Sequence, residues 1–239
     1  MPLPKIATPT YELVLPSSKK KIRYRPFLVK EEKILIIAME SEDQKQITHA
    51  IKSVINNCIT SRGVKVDKLS TFDIEYLFLN IRGKSVGENV EVLITCPDDD
   101  KTKVPVMIPL DEIKVKIDPE HNRDIDLGND LRMRMKYPSL SEFVQNNFTV
   151  EDGIGVSESF DMITACIDQV FNEEESWTAS DCTKKELTDF IEQLSSKQFK
   201  QIEKFFETMP KLSHTIKVKN PETKVESEVL LEGLASFFT

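Results

Sequence analysis

V-L-I-T-C-P-D-D-D-K-T-K-V-P-V-M-I-P-L-D-E-I, Val92 to Ile113, is answered about 120 residues later by H-T-I-K-V-K-N-P-E-T-K-V-E-S-E-V-L-L-E-G-L, His214 to Leu234. In each, an apolar strand leads into a polar turn containing proline, then T-K-V, a second apolar strand, and an acidic residue that opens a short apolar segment. The repeated order of features predicts two similar strand-turn-strand units, Glu91 to Ile113 and Leu212 to Leu234, in a twofold internal design. The units either pair in one sheet or cap two related lobes. If they pack together, they bury Val92, Ile94, Val104, Val106 and Ile108 with Ile216, Val218, Val225 and Val229, and burial of that much apolar area is a major stabilising contribution.

Working outward, alternation persists between Val90 and Lys136. Leu131, Met133 and Met135 fall on one side of a strand with Arg132, Arg134 and Lys136 opposite, and Gly128-Asn129 offers a turn that accepts positive φ. This predicts a small antiparallel sheet. From Val29 to Gly83 the period becomes helical, with Ile47, Ala50, Ile51, Val54, Ile55 and Cys58 forming one apolar stripe. Ser70 is placed to cap a further helix ending near Gly83, with Asp73 in its first turn. Ser139 to Met209 also reads as helical, and Thr183 with Glu186 and Ser195 with Gln198 match the capping box. The prolines among residues 1–27 predict an extended arm with strands at Tyr11 to Leu15 and Ile22 to Phe27. The expected class is therefore α+β: an extended arm over 1–27, a helical region over 28–88, an antiparallel β region over 89–137, a helical region over 138–210, and a second hairpin with an apolar tail over 211–239.

At 239 residues, 39% hydrophobic and 30% charged, the chain is long enough to bury one substantial core or two small ones. Its longest apolar run, Ile34 to Met39, is far shorter than the roughly 20 residues that span a bilayer, so no membrane segment is expected. The N-terminus has no signal-peptide pattern. A net charge of −8 argues against general binding to nucleic-acid backbones. Cys58, Cys96, Cys166 and Cys182 are widely separated, as expected for free thiols in a reducing compartment.

The two hairpin units, S-T-F-D-I-E-Y-L-F-L-N-I-R-G-K-S-V-G (Ser70 to Gly87), the ending L-E-G-L-A-S-F-F (Leu231 to Phe238) and the opening P-L-P-K-I-A-T-P-T-Y-E-L-V-L-P-S-S-K-K-K-I-R-Y-R-P-F-L resemble the baseplate hub subunits and hub assembly proteins of contractile-tailed, T-even-like bacteriophages. The resemblance implies a non-enzymatic phage tail protein that builds or helps assemble the hub, in the host cytoplasm during assembly or in the virion tail. It implies other baseplate hub proteins as partners. Some proteins of this kind carry cysteine pairs at the strand turns, as zinc-ribbon halves do. Here only Cys96-Pro97 remains, with His214 near the second turn. A tetrahedral zinc site needs four ligands, so no metal or other cofactor is expected and packing must hold the hairpins.

Three stretches are candidate partner-binding surfaces. The basic run Lys19, Lys20, Lys21, Arg23 and Arg25, with Tyr24 interleaved, reads as a solvated edge strand, a surface for an acidic protein, or a phosphate tracker. The region of Tyr76 and Phe78 and the tail with Phe237 and Phe238 supply aromatic anchors. The tail either packs into the core or docks on another subunit, and self-association is open to it. Deleting 1–27 or 231–239 is expected to abolish partner binding and spare the remaining fold. The block I-L-I-I-A-M after Val29 is expected in the core, although a helix covered only on assembly reads the same way. The acidic stretch from Glu151 to Glu175 lacks calcium-loop spacing. His49, His121 and His214 sit at no catalytic spacing, and phosphate-loop, nucleophile-elbow and zinc-protease motifs are absent. A nucleic-acid-associated regulator and an enzyme with a dispersed site remain the alternative readings.

Overall fold

The computed structural model describes residues 6–41, 43–139 and 156–237, and the chain forms two compact units, Met1–Lys116 with Lys211–Thr239, and Ile117–Pro210. Mixed helices and small antiparallel sheets make the class α+β.

In the first unit, β1 (Tyr11–Val14) pairs with β2 (Lys21–Tyr24), and alternation turns Leu13, Ile22 and Tyr24 inward. Tyr24 also bridges to Ile59, just past α2 (Gln44–Cys58). The α2 stripe buries Ala50, Val54, Ile55 and Cys58, and its N-terminus is capped by Asp43, which accepts from the Lys45 amide at 2.8 Å. Helix α1 (Val29–Glu40) packs on α2, and α2 packs on α3 (Thr71–Ser85). Helix α3 buries Phe72, Ile74, Leu77, Phe78, Leu79 and Ile81, which leaves it little solvent-facing surface. Ser70 precedes α3 as expected, but its side chain makes no capping hydrogen bond. The first-turn Asp73 reaches elsewhere: it accepts the Ser17 amide at 3.0 Å and the Ser17 hydroxyl, tying the β1–β2 turn to α3.

The first repeated unit is β3 (Asn89–Thr95) with β4 (Lys103–Pro109), and the second is β10 (Lys211–Lys219) with β11 (Glu226–Glu232). They neither join one sheet nor cap separate lobes. Their apolar faces share one core of Val90, Val92, Ile94, Ile108, Ile216, Val218 and Leu231, closed by Leu79 and Phe237. Val104, Val106 and Val229 are partly buried against it, whereas Val225 lies in the turn and is 46% exposed. A short strand, β5 (Lys114–Lys116), leaves the first hairpin and pairs with β10, Val115 opposite Leu212, giving the order β11-β10-β5. The alternation over 90–136 therefore serves three sheets and not one.

In the second unit, β6 (Asp124–Gly128), β7 (Leu131–Met135), β8 (Ile167–Phe171) and β9 (Ser176–Thr178) form a meander in that order. Gly128 and Asn129 take positive φ, 79° and 51°, as their turn requires. Helices α4 (Val156–Ala165), α5 (Lys184–Glu192) and α6 (Ser196–Glu207) cover the sheet around Met133, Met135, Cys166, Ile202 and Phe205. Both expected capping boxes are present, Thr183 with Glu186 and Ser195 with Gln198. The reading of 138–210 as helical misses β8 and β9. Ile167 and Val170 are apolar enough for either state, and pairing with Met135 and Met133 decides for strand. His121 is half-buried against Phe205 and Tyr137: its ring nitrogens lie 3.0 Å from the Thr208 and Tyr137 hydroxyls, and desolvation lowers its pKa.

Candidate interaction surfaces

The two repeated turns are built alike. The Cys96 carbonyl accepts from the Asp100 amide and the Asn220 carbonyl from the Lys224 amide, both at 3.0 Å, and Asp100 and Lys224 both have positive φ, 53° and 65°. The structural equivalents are thus Cys96-Pro97 and Asn220-Pro221. The T-K-V tripeptides fall out of register: Lys224 is the left-handed turn residue, whereas Lys103 already begins β4. Side chains tie the turns together. Asn220, 1% exposed, donates to Asp98 at 3.1 and 3.0 Å and to Asp99 at 3.0 Å, and the Thr223 hydroxyl donates to Asp98. These bonds hold the Asp98 carboxyl below the usual aspartate range, Thr223 contributing most, and Asp99 is lowered chiefly by the Thr102 hydroxyl. Cys96 is the only sulfur here and the amide at 220 is committed to carboxylates, so these residues do not fit a zinc site. Among the described residues no group of three or more His, Cys, Asp or Glu could hold a metal ion. Sequence reading found the turns but not this network, whose partners are 121 to 125 positions apart.

The basic run divides by face. Lys19, Lys20, Lys21 and Arg23 are exposed on the β1–β2 hairpin. Tyr24, at 2% exposure, points into the unit, and burial raises its pKa. Arg25 is directed inward to Glu31, whose side chain is fully buried, at 3.0 Å, and the same carboxylate accepts the Leu28 amide at 2.8 Å. Burial opposes ionisation of Glu31, but these bonds and the nearby guanidinium outweigh it and lower its pKa. Burial pushes the adjacent Cys58 thiol up to about 11. All four cysteines are free.

The aromatic candidates are mostly internal. Phe78 is 6% exposed and Phe237 is fully buried, while Tyr76 packs partly buried against the hairpin core. Phe238 lies outside the described residues. The tail thus takes the core alternative: the Leu234 amide donates to Glu75 at 3.1 Å, and Gly233, at φ 72°, bonds Leu212. Poorly solvated and opposed by a single amide, the Glu75 carboxyl is pushed up to about 7. Removing 231–239 takes Leu231 and Phe237 out of the core, and removing 1–27 takes out buried Leu13, Leu15, Ile22 and Tyr24. Both truncations are therefore expected to damage the fold, against the expectation that they spare it.

Helix α1 reverses its expectation. Val29, Ile34, Ile36, Ile37 and Met39 are 79%, 36%, 50%, 55% and 56% exposed, and the residue it buries most completely is Glu31. At 100° per residue these five side chains surround most of the helix, leaving only the side of Glu31, Leu35 and Ala38 against the protein. Lys30, Glu32, Lys33 and Glu40 share that outer face, but the run Ile34–Met39 is apolar on every side, a composition that belongs in an interior, and here only one side has one.

The model of the family described as T4 bacteriophage base plate protein matches residues 8–239. The chain belongs to that family. No curated protein and no solved structure matches it. Membership makes this base plate protein a T4-like phage tail component and implies association with other tail proteins. Among its described residues no helix is long and apolar enough to cross a membrane.

Proposed function

We propose that this base plate protein is a hub subunit or hub assembly factor that works by protein–protein association and carries no catalytic role. The observation that supports it is the run Ile34–Met39 of α1, six consecutive apolar residues of which Ile34, Ile36, Ile37 and Met39 are exposed. Its occupant is an apolar groove on another tail protein, which covers Ile34, Ile36, Ile37 and Met39 when the base plate forms. Lys20, Lys21 and Arg23 add an exposed basic contact, whereas Tyr24, Phe78 and Phe237 are buried and take no direct part in it.

The test is a tagged pulldown from infected cells at successive times, with mass spectrometry of captured proteins and of purified mature particles. Capture of hub proteins and presence in particles identifies a hub subunit. Capture without presence in particles identifies an assembly factor. Failure to capture any hub protein at any time rejects the reading.

A further inference from the structure

Charge is unevenly divided along this chain. Residues 1–116 with 211–239 carry 23 basic against 20 acidic side chains, a net of +3, whereas 117–210 carry 9 against 20, a net of −11. Within the first unit the positive charge is concentrated further. Residues 17–25 and 61–69 hold eight basic side chains and one acid, Asp67, which is already paired with Lys52. Excluding Arg25, the other seven are Lys19, Lys20, Lys21, Arg23, Arg62, Lys65 and Lys68, all exposed, and none is in an ion pair among the described residues.

The fold gathers them at one corner and fixes it. The Arg23 backbone bonds Ser61 and Thr60, joining the hairpin to the 60–69 segment. Buried Val66 pins the turn that presents Lys65 and Lys68, and Asp73 holds Ser17. Lys20, Lys65, Lys68 and Ser18 thereby surround a shallow depression of about 220 Å³ floored by Leu15. It is a cup with a positive rim and an apolar floor.

The second unit holds a counterpart. The β8–β9 hairpin turns through Asn172, whose side chain accepts the Glu174 and Glu175 amides at 2.9 and 2.6 Å. This tight turn presents Glu173, Glu174 and Glu175, all exposed and none ion-paired among the described residues. Beside them Trp177, the single tryptophan of the chain, is 43% exposed. Three carboxylates with an adjacent aromatic are the chemistry that the cup accepts.

We propose that the β8–β9 tip of one copy seats in the basic corner of a second copy, giving a head-to-tail association of this chain. Such a heterologous contact uses two different surfaces, so it closes into a ring or continues as an open array. The corner offers nucleic acid phosphates but no exposed aromatic for base stacking, since Tyr24 faces inward, and the acidic unit repels a polyanion.

The full chain is tested by sedimentation velocity with Trp177 emission as a second readout, at about 50 mM and about 500 mM salt, which shortens the Debye length roughly threefold. The expected result is a concentration-dependent rise in mass at low salt with a shift in emission, both lost at high salt. A Lys20→Glu/Lys65→Glu/Lys68→Glu variant and a Glu173→Lys/Glu174→Lys/Glu175→Lys variant should each sediment as monomer. An equimolar mixture should associate again, because each tip then meets a cup rim, at positions 20, 65 and 68, of opposite charge. Far-UV circular dichroism melts of both variants confirm folding, and if either is unfolded the single reversals Lys65→Glu and Glu174→Lys replace it, each expected to weaken association and their mixture to restore part of it. Monomeric wild type at low salt overturns the proposal. So does association that persists in both variants, absence of rescue in the mixture, or capture of a DNA oligonucleotide by the corner without any protein–protein mass increase.

Discussion

Asn220 donates to both carboxylate oxygens of Asp98, at 3.1 and 3.0 Å, and so locks together two turns 122 positions apart. The bond closes the end of the core where the hairpins leave each other, with Cys96 buried beneath it. Asn220→Ala leaves Asp98 and Asp99 without their shared donor, and thermal denaturation should show a Tm lower by roughly 2–4 °C. Asp98→Ala should remove most of that difference when combined with Asn220→Ala, because the two act through one contact. Fully additive effects would show that the turns are not coupled. The folded pKa values of Asp98 and Asp99 lie below the ordinary 3.8, so their stabilisation is present above that value and is lost as pH falls through the folded values. The penalty of Asn220→Ala should accordingly shrink in acid.

Glu75 gives the opposite pH dependence. Its carboxyl is raised from 4.5 to about 7 by burial, so the folded state holds a proton that the unfolded chain has released. That contribution is complete below about pH 4.5 and is lost as pH rises through about 7. Stability measured by denaturant titration should fall between pH 5 and pH 8, and Glu75→Gln should flatten the slope while keeping an acceptor for the Leu234 amide. An unchanged slope in Glu75→Gln would place the titration on another group.

Among the described residues, Arg25 and Glu31 form an ion pair whose acidic side chain is fully buried. Removing one partner strands the other, and Arg25→Ala should destabilise the protein by about 3 kcal/mol, since breaking buried pairs costs more than the pair itself contributes. Lys30, 3.4 Å from the same carboxylate but mostly exposed, is a weak substitute. Arg25→Ala/Glu31→Leu should recover part of the loss in urea denaturation. A double variant less stable than Arg25→Ala would mean that Glu31 matters chiefly through its bond to the Leu28 amide.

What was legible in the sequence follows the range of the interactions. The boxes at Thr183 and Ser195 close over three residues, and the α2 stripe and the β6–β7 turn are equally local, so periodicity and side-chain chemistry revealed them. The sequence places Asp73 in the first turn of α3, but its partner Ser17, 56 residues away, is not legible there. Arg25 and Tyr24 read as surface because a basic run hides which members of an alternating strand point inward. The surface position of α1 was hidden for a different reason. Composition reports what a helix prefers as its surroundings, not whether this chain alone provides them.

That difference makes α1 the sharpest place to separate folding from association. Ile36→Asp and Ile37→Asp change side chains that are 50% and 55% exposed, so each should shift stability by no more than about 0.5 kcal/mol. Ile108→Asp, at 1% exposure in the hairpin core, should unfold the first unit and serves as the contrasting control. If α1 is covered by another tail protein, Ile36→Asp/Ile37→Asp should keep the wild-type melting curve and lose capture of tail proteins from infected cells. Capture at the wild-type level would remove α1 from the interface. A large loss of stability would instead mean that these isoleucines support the first unit's own fold, and the apolar composition of α1 would then need no partner.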